Sequence, residues 1–196
     1  MSRPALVILA GGASTRLGSC KALADLGGGA TPLALLARAG AELVVGGAHA
    51  AEIRAALPPG VELVHNERWQ EGRLSSVQCA ARARPGRDLC LAPVDVPLVP
   101  PEVFDELARA WAEQGAPARG WLAPWVGVEG GRRHGHPVVL GRELLLELLE
   151  APPGLPLKLF RAHASPLLEL EVGTPAILDD LDSPADLARL RFRRGF

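Results

Sequence analysis

The residues able to do chemistry gather in a few short runs. The first is Leu9-Ala-Gly-Gly-Ala-Ser-Thr-Arg-Leu-Gly-Ser-Cys-Lys21. Two glycines close an apolar block there, and two hydroxyls and two cations follow. Glycine has no Cβ, so backbone N–H groups at Gly11 and Gly12 can turn toward an anion. Ser14 and Thr15 add hydroxyl donors. Arg16 and Lys21 add charge, and only Lys21 and Lys158 of the 21 basic residues are lysine. This is equipment for a polyphosphate. The run is not a Walker A loop, because Gly12 and Gly18 stand too far apart and no Ser or Thr follows Lys21. Nor does it spell G-x-G-x-x-G. The plain alternative is a surface turn with solvated charges.

A second run, Leu89-Cys-Leu-Ala-Pro-Val-Asp95, drives an apolar block into one carboxylate. In a parallel sheet a carboxylate at a strand's carboxyl end faces the ligand crevice. A hard oxygen ligand there suits Mg²⁺, which shares phosphate oxygens and keeps several waters. A turn cap is the competing reading. Late in the chain stands Leu178-Asp-Asp-Leu-Asp182-Ser-Pro-Ala-Asp186. Carboxylates before a helix often only cap it, and Asp186 is read that way. Asp182 is the candidate for the metal's shell, ahead of Asp180. Between these runs lie Asn66-Glu-Arg-Trp-Gln-Glu-Gly72-Arg-Leu-Ser75-Ser76 and Arg132-Arg133-His134-Gly135-His136-Pro137-Val138. Ser75 and Ser76 could serve a ligand, or Ser75 could cap the helix that follows. Two arginines and two histidines could hold a phosphorylated molecule, or form a solvated basic loop. A zinc pair at His134 and His136 lacks a third ligand in the sequence.

Taken together, L-A-G-G-x-S-x-R-L-G-x-x-K, D-x-P-L at Asp95 and D-x-D-S-P at Asp180–Pro184 resemble the signature of the MobA-like nucleotidyltransferases. That family includes the molybdenum cofactor guanylyl- and cytidylyltransferases. N-x-x-W-x-x-G-x-x-x-S at Asn66–Ser76 and G-x-R-G-H-P-V at Arg132–Val138 are similar to further elements of it. The resemblance implies that Leu9, Ala10, Gly11, Gly12 and Ser14 contact the nucleotide, with Arg16 and Lys21 on its phosphates. It implies a base or ribose contact at Asn66, Ser75 and Ser76. It puts Mg²⁺ on Asp95, helped by Asp182, and sets Arg133, His134, Gly135 and His136 against the acceptor. Arg16, Lys21 and Asp95 are then the catalytic set.

The reaction so implied moves a nucleoside monophosphate from CTP or GTP to a phosphorylated acceptor, with pyrophosphate leaving. The Gly-His-Pro-Val loop and the D-x-D-S-P ending favour the cytidylyltransferase branch, hence CTP and molybdopterin. Partners to look for are that acceptor and a molybdoenzyme maturation protein. Rival readings are a sugar-phosphate or alkyl-phosphate nucleotidyltransferase and a non-catalytic nucleotide-binding module. The chain departs from the pattern at Asp25–Ala41, which is short for the family's first helix and opens on Gly27-Gly-Gly29.

The elements that must carry these runs alternate. Strands are expected at Ala5–Ala10, Glu42–Gly46, Val61–His65 and Leu89–Val94. Helices are expected from Thr31-Pro32 to about Gly40, at His49–Leu57, at Leu74–Arg84 and from Pro101 to about Gln114. Trp121–Val128, His136–Leu140 and Leu167–Val172 read as strands, Arg142–Glu150 and the segment after Ser183 as helices. Leu155–His163 is ambiguous. The order implies a single α/β domain over residues 1–196, a three-layer Rossmann-like fold with a mostly parallel sheet. Of the histidines, His49, His65 and His163 are read as structural, and the four tryptophans as core or rim aromatics.

Composition supports this and excludes other classes. At 48% hydrophobic and 22% charged residues the chain can bury a core. A net charge of −1 gives no general grip on nucleic acid or an anionic membrane. No apolar run reaches the roughly 20 residues of a membrane span. Three widely spaced cysteines form neither a C-x-x-C pair nor a disulfide framework, so a reducing, cytoplasmic setting is expected.

Overall fold

The first strand, β1 (Ala5–Ala10), is buried along its whole length. Its residues alternate between two cores, because side chains on a strand point to opposite faces. Leu6, Ile8 and Ala10 enter one core; Ala5, Val7 and Leu9 enter the other. The computed structural model describes residues 3–196.

Strands β2 (Leu43–Gly46), β3 (Glu62–His65) and β4 (Leu89–Pro93) run parallel to β1. The chain adds β5 (Trp121–Val128), β6 (Gly131–His134), β7 (Val138–Leu140) and β8 (Leu167–Glu171). The described residues form one eight-stranded sheet in the order β3-β2-β1-β4-β7-β5-β6, with β8 on β5. Only β6 and β7 run against the rest, since β7 is antiparallel to both β4 and β5, and β6 is antiparallel to β5.

Helices cover both faces. Helices α1 (Pro32–Ala37), α2 (Ala50–Ala55) and α4 (Pro101–Glu113) pack on one core through Leu33, Leu36, Ile53, Phe104, Leu107 and Trp111. Helices α3 (Arg73–Ala83) and α5 (Arg142–Glu150) pack on the other through Leu74, Val77, Leu144, Leu145 and Leu148. This is the expected three-layer α/β fold. A last helix, α6 (Pro184–Arg193), opens with a capping box between Ser183 and Asp186. It satisfies two orphan N–H groups reciprocally.

One local expectation changes and two open readings are decided. The strand expected at His136–Leu140 is β7 alone, and the residues before it form the separate β6. Gly135 and His136 break the run because their N–H groups are drawn to the Pro124 and Ile177 carbonyls, at 3.0 and 3.1 Å. A Cβ at Gly135 would collide with the Ile177 carbonyl oxygen, so only glycine fits that crossing. Helix α3 starts at Arg73 behind Gly72, whose φ of 112° favours glycine. Ser75 therefore lies inside the first turn and does not cap it. Leu155–His163 resolves as a 3₁₀ turn over Leu157–His163.

Candidate active site

Strand order makes the site. Because β1 pairs with β4, the loop after β1 and the residue after β4 emerge side by side, and the Val94 N–H donates to the Leu9 carbonyl at 3.0 Å. Beside them opens a cavity of about 330 Å³. Leu9, Ala10, Gly11, Gly12, Ser14 and Lys21 from the first loop line it, and Asp95 lies at its other side.

The loop has built-in shape. Leu17 and Gly18 donate their N–H groups to the Ser14 carbonyl, at 3.1 and 3.0 Å. The Lys21 N–H donates to Ser14 Oγ at 3.1 Å. Ser14 sits at φ 53°, the left-handed region, which costs a non-glycine residue of order 1 kcal/mol or more. Gly11 is needed for a close approach, since a Cβ there would come within 2.8 Å of Ser76 Oγ. Gly12 faces open space.

Charge concentrates around Lys21. Its Nζ donates to Asp182 Oδ1 at 2.7 Å and lies 4.0 Å from Asp95 Oδ2, with the side chain only 13% exposed. Arg16, largely exposed, reaches Asp182 Oδ2 at 3.2 Å. Arg73 at the start of α3 stands 3.7 Å from Asp95 Oδ2. The lysine hydrogen bond holds the Asp182 carboxyl below its usual range. Asp180, exposed at the surface, is pushed up by partial loss of water and by the charges of Asp95 and Asp182. Residues more than eighty positions apart meet because the Leu181 N–H donates to the Asp95 carbonyl at 2.7 Å. Two carboxylates thus flank one ammonium, and Asp180 stands near enough to feel their charge. Hard oxygen donors of that kind fit a divalent cation such as Mg²⁺ or Mn²⁺.

Other candidates separate. Asn66 and Ser75 stand behind the wall. The Asn66 amide donates to Ser75 Oγ at 2.8 Å and to Ser76 Oγ at 3.1 Å, and its oxygen accepts from the Arg68 N–H. Ser75 Oγ donates to backbone carbonyls of Arg68 and Gly72. Only Ser76 of the three lines the cavity. Among the basic-loop residues, His136 feels Arg73 and Asp95, and burial, followed by the Arg73 charge, depresses its pKa to about 4. Its Nδ1 is sealed from solvent without a hydrogen-bond partner. Arg133 is exposed on β6. His134 turns instead to Glu169 at 2.7 Å, which also takes Arg132 at 2.8 Å. Asp186 serves its cap and Arg189.

Sequence reasoning missed several wall residues, Arg73, His49 and Trp69 among them. Arg73 had a signal, an arginine directly after the glycine of the Asn66–Ser76 run. His49 and Trp69, read as scaffold, both line the cavity. His49 follows Gly46-Gly47 at the end of β2, whose carboxyl end faces the same crevice.

A family model described as MobA-like NTP transferase domain matches residues 6–165. No curated protein sequence matches the chain. Among solved structures, Rv0371c from Mycobacterium tuberculosis H37Rv is 26% identical at a TM-score of 0.73, covering 97% of this chain and 99% of that one. It is also known as a complex with manganese. A nucleotidyl transferase from Methanothermobacter thermautotroptrophicus is 22% identical at a TM-score of 0.76, with both chains covered completely (100%). Molybdopterin-guanine dinucleotide biosynthesis protein A from Archaeoglobus fulgidus is 18% identical at 0.71, covering 97% of this chain and 98% of that one. No helix among the described residues is long and apolar enough to cross a membrane.

Proposed function

The chain belongs to the MobA-like NTP transferase domain family, a family of nucleotidyltransferases, and on that footing we propose that it transfers a nucleoside monophosphate from an NTP to a phosphorylated acceptor with Mg²⁺. Our first choice is CTP with molybdopterin, and GTP is the alternative donor. The observation that carries this reading is Lys21 set between Asp95 and Asp182 beneath the glycine loop.

The donor triphosphate lies along Gly11 and Gly12, whose N–H groups suit its oxygens, with open space beside Gly12. Lys21 and Arg16 neutralise charge that develops on the departing pyrophosphate. Asp95 and Asp182 would hold the metal, which supplies Lewis-acid polarisation of phosphate oxygens when bound. The acceptor phosphate, with a second pKa near roughly 6, is already largely ionised at neutral pH, so no general base is required. Its oxygen forms a bond to the α-phosphorus while the α–β bridging bond breaks and pyrophosphate carries away the electron pair. Arg73, 3.7 Å from Asp95, and His136, which feels both their charges, are our candidates for the acceptor's phosphate. Asn66 and Ser75 shape the wall and leave Ser76 to touch the donor.

Pyrophosphate release across the four NTPs, with and without Mg²⁺, against molybdopterin and a panel of sugar and alkyl phosphates tests this. Metal-dependent release with one NTP and molybdopterin supports it. Release with a sugar or alkyl phosphate alone would move the enzyme to that branch. Saturable NTP binding with no release under any acceptor would make it a binding module.

A further inference from the structure

A second group of ligand atoms adjoins the nucleotide cavity and takes no part in the chemistry above. Cys20 Sγ, a ring nitrogen of His49 and a carboxylate oxygen of Glu52 all lie within 4.8 Å of one another. They come from two separate stretches of chain. Cys20 precedes the 3₁₀ turn Lys21–Leu23, and His49 and Glu52 sit three residues apart at the start of α2. From these three ligands we infer a transition-metal site of the zinc class on the wall of the nucleotide cavity, distinct from the carboxylate site at Asp95 and Asp182.

The donor set argues the class. One sulfur, one imidazole nitrogen and one carboxylate oxygen make a mixed set that Zn²⁺ accepts and Mg²⁺ does not favour. The imidazole is already oriented for it. His49 Nε2 lies 3.2 Å from the Ala13 carbonyl oxygen, so it carries the hydrogen and donates. A ligating histidine commonly donates its other ring N–H in this way, which leaves the remaining nitrogen for the metal. That remaining atom, Nδ1, faces Glu52 Oε1 at 2.7 Å, a hydrogen bond whose proton lies where a metal ion would bind both atoms. A tetrahedral zinc would hold its ligand atoms roughly 3.3–3.7 Å apart, so the group needs shifts on the order of 1 Å. Glu52 is 58% exposed and free to make its share of that shift.

Cys20 is buried, but it lines the cavity together with His49, so the ion has an entry path and a fourth position open toward the cavity. Binding replaces the thiol proton and the proton between His49 and Glu52, which are released to solvent. The bound ion also ties α2 to the glycine loop through His49 and Ala13, which links the metal to the loop that would carry the donor.

The test needs no catalysis and so stands apart from the nucleotidyl-transfer reading. Metal-free protein is titrated with Co²⁺ in excess Mg²⁺, so that hard-oxygen positions are filled. The expected result is one equivalent bound with a thiolate-to-cobalt charge-transfer band and tetrahedral visible bands, both displaced by Zn²⁺. Cys20→Ser should abolish the charge-transfer band, and Cys79→Ser should leave it unchanged. Glu52→Gln, at a position 58% exposed, should weaken Zn²⁺ binding by about tenfold or more. Absence of the sulfur band in the parent protein, or its persistence in Cys20→Ser, overturns the site. So does unchanged Zn²⁺ affinity in Glu52→Gln.

Discussion

Replacing Lys21 with methionine separates two roles that its position combines. The ammonium is 2.7 Å from Asp182 and 4.0 Å from Asp95. At an effective dielectric constant near 20, a unit pair at 4 Å interacts by about 4 kcal/mol, which is a ceiling for the Asp95 contact. The Asp182 side chain is 37% exposed, so solvent screening reduces that pair to about 1 kcal/mol. The lysine therefore competes electrostatically with a divalent cation for these two carboxylates. Lys21→Met should tighten Mn²⁺ or Mg²⁺ binding in the absence of nucleotide by about tenfold, roughly 1.4 kcal/mol, because the competing charge is gone. The same change should weaken NTP binding and lower turnover by about 10²–10³-fold, the scale of losing one electrostatic stabiliser. Calorimetric titration of the metal with and without NTP, beside pyrophosphate release, reads both. If metal affinity falls together with nucleotide affinity, the lysine supports the carboxylates rather than standing in for a cation. Turnover within about twofold of the parent would remove Lys21 from the chemistry. The acid side gives a further check. The Lys21 contact depresses the Asp182 pKa below 3.8, so its stabilisation is present at neutral pH and is lost as pH falls through that depressed value. In Lys21→Met that loss on acidification should shrink in the melting curves to the part that Arg16 supplies.

Asp95→Asn should cut turnover by about 10²-fold or more with the melting temperature little changed, as single-turnover rates and calorimetry would show. Asn66→Ala deprives the buried Ser75 and Ser76 hydroxyls of their donor and should cost about 1–3 kcal/mol in denaturant unfolding, with KM for the donor raised more than kcat is lowered. Lowering pH from 6.5 to about 4 should destabilise the protein through His136, which stays neutral when folded and takes a proton when unfolded. The ceiling is about 3 kcal/mol. A flatter acid limb in His136→Gln would confirm the source, and an unchanged limb would refute it.

Much of this protein is written locally. The apolar blocks at Ala5–Ala10 and Leu89–Pro93 are strands because only burial on both faces suits such runs, and they emerged where expected. The Thr31-Pro32 and Ser183-Pro184 pairs start helices because their hydroxyls accept the orphan N–H groups of the first turn, and both do. The glycine loop could be located from spacing alone, since its backbone freedom is a property of the residues themselves. What lay beyond sequence were the outcomes of competition between distant groups. Asn66 looked available to a ligand until the fold supplied Ser75 and Ser76 as partners. His134 was spent on Glu169, a strand away, while His136 remained unpaired beside Asp95. Arg73 and His49 became cavity walls only because sheet order brought the ends of β1, β2 and β4 and the start of α3 to one crevice. Local order follows from short-range sterics and periodicity, which act within a few residues. Which charge meets which is decided by strand pairing and by single long-range bonds such as Leu181 to Asp95, and no spacing in one dimension encodes that choice.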